Sequence, residues 1–366
     1  MQYTLRNTFN YISIFFICFF MYLNLIYFFG NNQNIYLKSD YFINYSSGFI
    51  RRGLDGQIIY YISRFTGFPP ILSIKIYYSF FFCAFIVIIG FVNLKKWKKL
   101  PLYYLISPFL LLPSLLYFRK LHLSKDLEII VLGFLLIYFF EKKRNFFITN
   151  TLMILGTMVH EVFFFLIFFP LLMMYQKNKE KLSIKIVFSF FMFIFPSIIT
   201  VLSLVTIFSG LDKDISKIFN SWSYLDSSLL GKIRFNSGLF KSNEIRYVYT
   251  VINGKINYIG ILITLILNFL FFYLLKFEKK QTLLLILQTM VISFLILIAS
   301  DYYRWFLIAN FFYIFYLKFD KIRVDIKFSV LVYCISGMPY VGWNIYRYLD
   351  CNPIYILTHL KSYLLI

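Results

Sequence analysis

Residues 146–175 read FFITNTLMILGTMVHEVFFFLIFFPLLMMY, an apolar run interrupted at its centre by His160 and Glu161. As one straight α-helix these 30 residues would be about 45 Å long, whereas the hydrocarbon core of a bilayer is about 30 Å thick. The run therefore has two interpretations. It is either two short helices that reverse near His160-Glu161, or one long tilted helix that buries this pair.

Basic residues in the short segments beside the apolar runs favour the reversal. Short cytoplasmic loops of membrane proteins are enriched in Lys and Arg, and these segments share one face only if 146–175 enters the membrane and returns. The clusters are Lys95, Lys96, Lys98 and Lys99; Lys142, Lys143 and Arg144; Lys177, Lys179, Lys181 and Lys185; Lys276, Lys279 and Lys280; and Lys318, Lys321, Arg323 and Lys327.

The composition extends this interpretation to the whole chain. Of the 366 residues, 60% are hydrophobic and only 14% are charged, and the mean hydropathy is +0.73, which excludes an ordinary soluble domain. Further apolar runs lie at about 8–29, 71–93, 100–118, 127–140, 184–209, 256–275, 281–300, 305–317 and 328–346. We therefore expect an all-α, polytopic integral membrane protein with about 10–12 transmembrane helices.

The predicted topology gives a single transmembrane domain, residues 1–366, with a short helical hairpin at 146–175. Its outer loops are 30–70, 119–126, 210–255 and 301–304, of which 210–255 is the longest. The five basic clusters and Arg6 hold 19 of the 37 Lys and Arg residues, and such short loops orient a membrane protein. The net charge of +21 therefore does not indicate nucleic acid as a partner.

The first outer loop contains SSGFIRRGLDGQI at 46–58, with Arg51 and Arg52 side by side. Two adjacent guanidinium groups can bind phosphate oxygens, and a helix that begins near Leu54 would add backbone N–H groups. The alternative is that both arginines are interface anchors that pair with Asp40 and Asp55.

Other polar residues of the outer segments are candidates for the same site. Asp126 and Ser124 are equally explained as a cap for the next helix, and Trp222 either stacks on sugars or belongs to an aromatic belt. Asp301 and Arg304 are spaced to form an ion pair on one helix face. The remaining candidates are Arg119, His122 and Arg246.

His160 and Glu161 are the sharpest feature because each needs a polar partner or a water-filled cavity within an apolar run. A carboxylate among Phe residues should have a raised pKa, which suits a general acid or base. The alternative is that both residues only fix the hairpin by hydrogen bonds. No HExxH follows and the chain has three histidines, so a metal site is not expected.

The combination of SSGFIRRGLDGQI at 46–58, HE at 160–161 and DYYRW at 301–305 resembles the O-antigen polymerases of the Wzy type. The resemblance implies an inner-membrane enzyme of bacteria that works in lipopolysaccharide and surface-polysaccharide biosynthesis. Such an enzyme moves a growing glycan from undecaprenyl diphosphate onto a lipid-linked repeat unit at the periplasmic face. It implies essential arginines and no cofactor, with the bilayer and a chain-length regulator protein as further partners.

On this hypothesis Arg51, Arg52 and Arg304 bind the diphosphate, and Glu161 or His160 is the base. The wider GT-C type glycosyltransferases use an outer-loop acid near the first helix, a role that the resemblance offers to Asp40. Two alternatives stay open, namely a GT-C type transferase that uses a polyprenyl-phosphate sugar and a flippase for lipid-linked oligosaccharides. Against the flippase, the sequence shows no two-fold internal repeat.

Overall fold

The computed structural model describes residues 41–95, 125–176, 183–208, 215–222 and 279–296, and the single residues 305, 308, 309 and 312. The described residues form α-helices and short 3-10 segments, among them Tyr45–Ser47, and include no strand. The α-helices are α1 (Gly53–Thr66), α2 (Pro70–Lys95), α3 (Asp126–Lys143), α4 (Phe146–Val159), α5 (Val162–Gln176), α6 (Ile184–Phe193), α7 (Phe195–Thr206), α8 (Ile215–Ser221) and α9 (Lys279–Ile296). The prediction of an all-α fold is confirmed for this part of the chain.

Contacts divide the chain into two compact units. One comprises Met1–Tyr27, Gly90–Leu121 and Val248–Ile366, and the other comprises Phe28–Ile89 and His122–Tyr247. All residues of the candidate site that the structure describes belong to the second unit, within which α4 contacts α1, α3, α5 and α7.

The run 146–175 is two helices, and the chain reverses between them as predicted. His160 has extended backbone angles (φ −158°, ψ 124°) that end α4, and α5 starts two residues later. Near the turn, Gly156 lies so close to Phe163 that a Cβ on the glycine would be 2.4 Å from the ring. At the other end, Arg144 Nη2 donates to the Met174 carbonyl at 2.8 Å, which brings the start of α4 beside the end of α5.

The apolar run at 184–209 is divided into two helices, α6 and α7, which are bent by 69° relative to each other. Pro196, in the first turn of α7, has no N–H and its ring would clash with the carbonyl four residues earlier in a continuous helix. The break leaves carbonyls at the end of α6 without helical partners. Asn150 of α4 supplies one partner, since its Nδ2 donates to the Phe193 carbonyl at 2.9 Å, and Ser197 Oγ donates to Asn150 Oδ1 at 2.7 Å.

Within the described residues, no single helix meets the length, hydropathy and low charge of a membrane span. Two pairs of helices meet these criteria when each pair is taken together: Gly53–Thr66 with Pro70–Phe85, bent by 119°, and Ile184–Phe193 with Phe195–Thr206.

Candidate functional site

Arg51 and Arg52 immediately precede α1, and their backbone is held in place by hydrogen bonds from distant parts of the second unit. Arg52 has left-handed backbone angles (φ 61°, ψ 11°), a conformation that costs a non-glycine residue about 1 kcal/mol. Its carbonyl accepts a hydrogen bond from Lys125 Nζ at 2.8 Å. The Arg51 N–H donates to the Phe208 carbonyl at 2.9 Å. The strained conformation of Arg52 is therefore held by Lys125 at the start of α3, and the backbone of Arg51 is held by Phe208, two residues after α7.

Two glycines of the same motif allow α1 to pack closely against the segment before it. A Cβ on Gly56 would lie 1.9 Å from the carbonyl oxygen of Ile43, and a Cβ on Gly53 would lie 2.4 Å from the ring of Tyr45. The contact at Gly56 is with backbone, which cannot turn away as a side chain can. The spacing of these glycines thus fixes the path of the chain on which the arginines lie.

Arg52 forms an ion pair with Glu161 at the tip of the hairpin. Its Nε donates to Oε2 at 2.9 Å, and its Nη2 donates to Oε1. Nη1 of Arg51 lies 3.7 Å from the same Oε1. The side chains are between 12% and 19% exposed, so the pair is mostly buried yet within reach of solvent. Bidentate arginine–carboxylate pairs are among the stronger polar contacts in proteins.

His160 acts as a hydrogen-bond acceptor in this arrangement. Its Nδ1 accepts from the Val162 N–H at 3.3 Å, which indicates a neutral imidazole whose proton is on Nε2. Nδ1 is also 3.6 Å from Glu161 Oε2, but a nitrogen that accepts a hydrogen bond has no proton for the carboxylate. The imidazole thus satisfies the first N–H of α5 and fixes the turn.

The expected rise in the pKa of Glu161 is not observed. Burial alone would raise the pKa, but the positive charge of Arg52, together with that of Arg51, holds it well below its usual range. The Phe residues beside Glu161 favoured a raised pKa, whereas Arg52 lies 109 positions earlier in the chain and local sequence does not indicate that it is a partner. An ionised carboxylate with a low pKa is a good counter-ion and a weak base.

A second polar cluster lies directly behind Arg52 and is fully enclosed. Asp55 and Glu128 are inaccessible to solvent. Lys125 Nζ is 2.8 Å from Asp55 Oδ2, and Tyr77 donates to Asp55 Oδ1 at 2.9 Å. Tyr41 donates to Glu128 Oε1 at 2.9 Å, and burial followed by the charge of Glu128 raises the pKa of this phenol. Asp55 therefore pairs with Lys125 and is not a partner of the arginines.

This cluster was only partly visible in the sequence. Asp55, Lys125 and Glu128 stand out as charges beside apolar runs, whereas nothing distinguishes Tyr41 and Tyr77 from the other 29 tyrosines of the chain. Asp55 and Glu128 each lie in the first turn of a helix otherwise rich in apolar residues. This shared position is the sequence feature that could have indicated a buried polar cluster.

The structure also corrects the expectations for Trp222 and for the start of α3. Trp222 is fully buried. Its Nε1 donates to the Phe42 carbonyl at 2.9 Å, and its ring packs edge-on against Phe42 and Tyr60. It therefore belongs to the core and is available neither to a sugar nor to an aromatic belt. At α3 the N-cap residue is Lys125, without a side-chain cap.

The remaining candidates lie outside the described residues, and their roles stay predictions. They are Asp40, Arg119, His122, Arg246, Asp301 and Arg304. Among the residues that the structure does describe, no group of three or more His, Cys, Asp or Glu side chains could hold a metal ion.

Comparison with known proteins gives no further constraint on the site. No protein-family model matches the chain, and no curated protein or solved structure is significantly similar to it.

Proposed function

We propose that the chain is a membrane glycan polymerase of the O-antigen type. It would transfer a growing surface polysaccharide from undecaprenyl diphosphate to a lipid-linked repeat unit at the periplasmic face of the bacterial inner membrane. The observation that carries the proposal is the pair of adjacent arginines at the start of α1. Their guanidinium groups converge on one carboxylate in a partly exposed position, and the same planar donors fit the oxygens of a phosphate.

The surface of the described helices supports a membrane location. Soluble monomers rarely expose large contiguous apolar patches, whereas a lipid environment favours apolar side chains on the outside. In this chain, several large apolar side chains on α1, α2, α4, α6 and α7 are more than half exposed: Phe65, Phe80, Val87, Phe147, Ile184, Phe188 and Leu202. The number of membrane crossings remains a prediction from the sequence.

The proposed reaction has a simple balance. An acceptor hydroxyl oxygen attacks the anomeric carbon of the donor glycan, the bond from that carbon to the diphosphate oxygen breaks, and undecaprenyl diphosphate leaves with the electron pair. Arg51 and Arg52 would stabilise the charge that develops on this leaving group. A base must take the hydroxyl proton, and Asp40 is the candidate that we retain. Glu161 is held ionised by Arg52, and His160 Nδ1 already accepts a backbone hydrogen bond.

A transferase that uses a polyprenyl-phosphate sugar is the second candidate, and the net charge of the site favours its substrate. Arg51, Arg52 and Glu161 together carry one net positive charge, which matches the single negative charge of a phosphodiester. The diester of a diphosphate carries two negative charges and requires both arginines without the carboxylate.

Deletion of the gene in its host, followed by electrophoresis of the surface glycan, tests the proposal. We expect single repeat units in the deletion strain. Complementation with Arg51→Ala or Arg52→Ala should fail to restore long chains, whereas Arg64→Ala should restore them. Arg64 lies on the same helix and is exposed, so it controls for the loss of one positive charge.

Other outcomes of this experiment contradict the polymerase. A glycan of normal length that lacks one side branch would indicate the single-addition transferase. Lipid-linked repeat units retained in the cytoplasmic leaflet would indicate a flippase. Wild-type chain lengths in the deletion strain would exclude all three activities.

A further inference from the structure

Glu161 occupies the position on Arg52 that a phosphate group would take. Both of its oxygens accept from the guanidinium, one from Nε at 2.9 Å and the other from Nη2. Two phosphate oxygens can accept from the same two donors in the same fork. The carboxylate and an anionic ligand therefore cannot both use this edge of Arg52.

We propose that Glu161 is a displaceable counter-ion, and that a dianionic diphosphate headgroup takes its place on Arg52 and so separates the hairpin tip from α1. The identity of this ligand rests on the proposed function. Displacement removes one negative charge from the site, so that two guanidinium groups face two negative charges. This charge balance selects a diphosphate ester as the substrate rather than a monophosphate ester.

The geometry allows the carboxylate to leave without moving the arginine. The Arg52 carbonyl is fixed by Lys125 and the Arg51 N–H is fixed by the Phe208 carbonyl, and neither contact involves Glu161. Glu161 itself lies in the turn between α4 and α5, where a few backbone angles can redirect it.

The surroundings of Arg52 also favour an anion once Glu161 has left. The nearest carboxylate on α1, Asp55, is already paired with Lys125 at 2.8 Å, which offsets its repulsion. The site lies at the N-terminal end of the 14-residue helix α1, where the helix dipole is positive.

Calorimetric titration of the full-length protein in lipid nanodiscs with inorganic pyrophosphate tests the inference. Because Glu161 competes with the ligand, Glu161→Gln and Glu161→Ala should each bind pyrophosphate about 10-fold more tightly than the wild type, equivalent to about 1.4 kcal/mol. Glu141→Gln removes an equal charge from an exposed position at the end of α3 and should leave the affinity unchanged. Unchanged or weaker binding by both Glu161 variants would overturn the inference.

Hydrogen exchange of the hairpin tip gives an independent measurement. The amides of Val162 and Phe163 donate to His160 Nδ1 and to its carbonyl, respectively. Saturating pyrophosphate should accelerate their exchange in the wild type, and equal rates with and without pyrophosphate would show that Glu161 stays in place.

The two proposals fail in different ways. If Arg52→Ala loses pyrophosphate binding while the Glu161 variants bind like the wild type, the arginine site stands and the displacement does not. If Arg51→Ala and Arg52→Ala both keep wild-type affinity, the phosphate site of the proposed function is itself excluded.

Discussion

The tip and the base of the α4–α5 hairpin are each held by an arginine in a left-handed conformation. Arg52, with φ 61°, binds the tip, and Arg144, with φ 41°, binds the base. Within the described ranges these are the two non-glycine residues that have positive φ. Such strain persists only where the surrounding structure determines it, so both ends of the hairpin are tightly specified.

The two arginines differ in what their guanidinium groups bind. At the base, Arg144 Nη2 donates to the neutral carbonyl of Met174 at 2.8 Å, and its guanidinium lies 5.7 Å from the centre of the Tyr175 ring. At the tip, the partner of Arg52 is the ionised carboxylate of Glu161. A carbonyl of the main chain can be neither titrated nor exchanged for a ligand, whereas a carboxylate on a turn can be both. The base is thus a structural clasp, and the tip has the properties of a binding site.

Lys125→Met should produce the largest effect, because it removes the cation that holds both the Arg52 carbonyl and Asp55. The uncompensated charge of Asp55, which is fully buried, should lower the free energy of unfolding by about 3–5 kcal/mol. Unfolding in mixed detergent micelles measures this change. Lys142→Met at the exposed end of α3 is the matched control and should change the stability little. A Lys125→Met protein as stable as the wild type would show that the ion pair with Lys125 does not stabilise the fold.

Arg52→Ala and Arg144→Ala compare the two ends directly. Arg52→Ala removes two hydrogen bonds between ionised groups, whereas Arg144→Ala removes one from an ionised donor to a neutral carbonyl. Because a hydrogen bond to a charged group contributes about 1.5–3 kcal/mol, loss of the Arg52–Glu161 pair should cost more stability than loss of the Arg144 clasp. Arg52→Ala alone should abolish pyrophosphate binding, measured by calorimetry. Loss of binding in Arg144→Ala would mean that the base also contributes to the site.

The sequence predicted the reversal of this hairpin for a sound physical reason. The length of the run and the two polar side chains at its centre allowed either a hairpin or a tilted helix, and the basic clusters, which must share one face, favoured the hairpin. The break at Ile194 was missed because the run 184–209 was judged by its length and hydropathy, although Pro196 marks the point. The sequence indicated correctly that Arg51 and Arg52 lie at the start of a helix.

The partners of these charges could not be read from the chain. The alternative interpretation of the arginines paired them with Asp40 and Asp55, but Asp55 binds Lys125 and Arg52 binds Glu161. Which charges meet depends on how helices pack, and spacing along the chain carries little of that information. The same limit explains why Trp222 was expected at a surface and is found in the core.

Acid titration should affect the tip and spare the base. The pKa of Glu161 in the folded protein lies below its unfolded value of about 4.3, so its contribution to stability is complete above that pH and is lost as the pH falls through the folded pKa. The difference in unfolding free energy between wild type and Glu161→Gln should therefore shrink below about pH 4.3. The loss should be smaller than in Arg52→Ala, because a protonated carboxyl can still accept a hydrogen bond.

The same titration of Arg144→Ala provides the control. Its stability should run parallel to that of the wild type throughout the acid range, because the carbonyl of Met174 does not titrate. A difference that changes with pH for Arg144→Ala, or that stays constant for Glu161→Gln, would contradict the distinction between the two ends.

Arg144→Gly compared with Arg144→Ala should show the smallest effect. Both variants lose the guanidinium, but glycine adopts positive φ without strain. Relief of about 1 kcal/mol of strain is partly offset by the greater freedom of glycine in the unfolded chain. We expect Arg144→Gly to melt a few degrees higher in a thermal scan. A lower melting temperature for the glycine variant would show that the left-handed conformation at Arg144 costs nothing.

The hydrogen bonds of Asn150 impose an order of events during synthesis of the chain. Its side-chain amide donates to the Phe193 carbonyl and accepts from the Ser197 hydroxyl, and these two residues are translated 43 and 47 residues later. Until they emerge from the ribosome, α4 carries an amide whose oxygen lacks its final donor. The hairpin therefore cannot reach its final packing alone, and the break between α6 and α7 is the event that completes it.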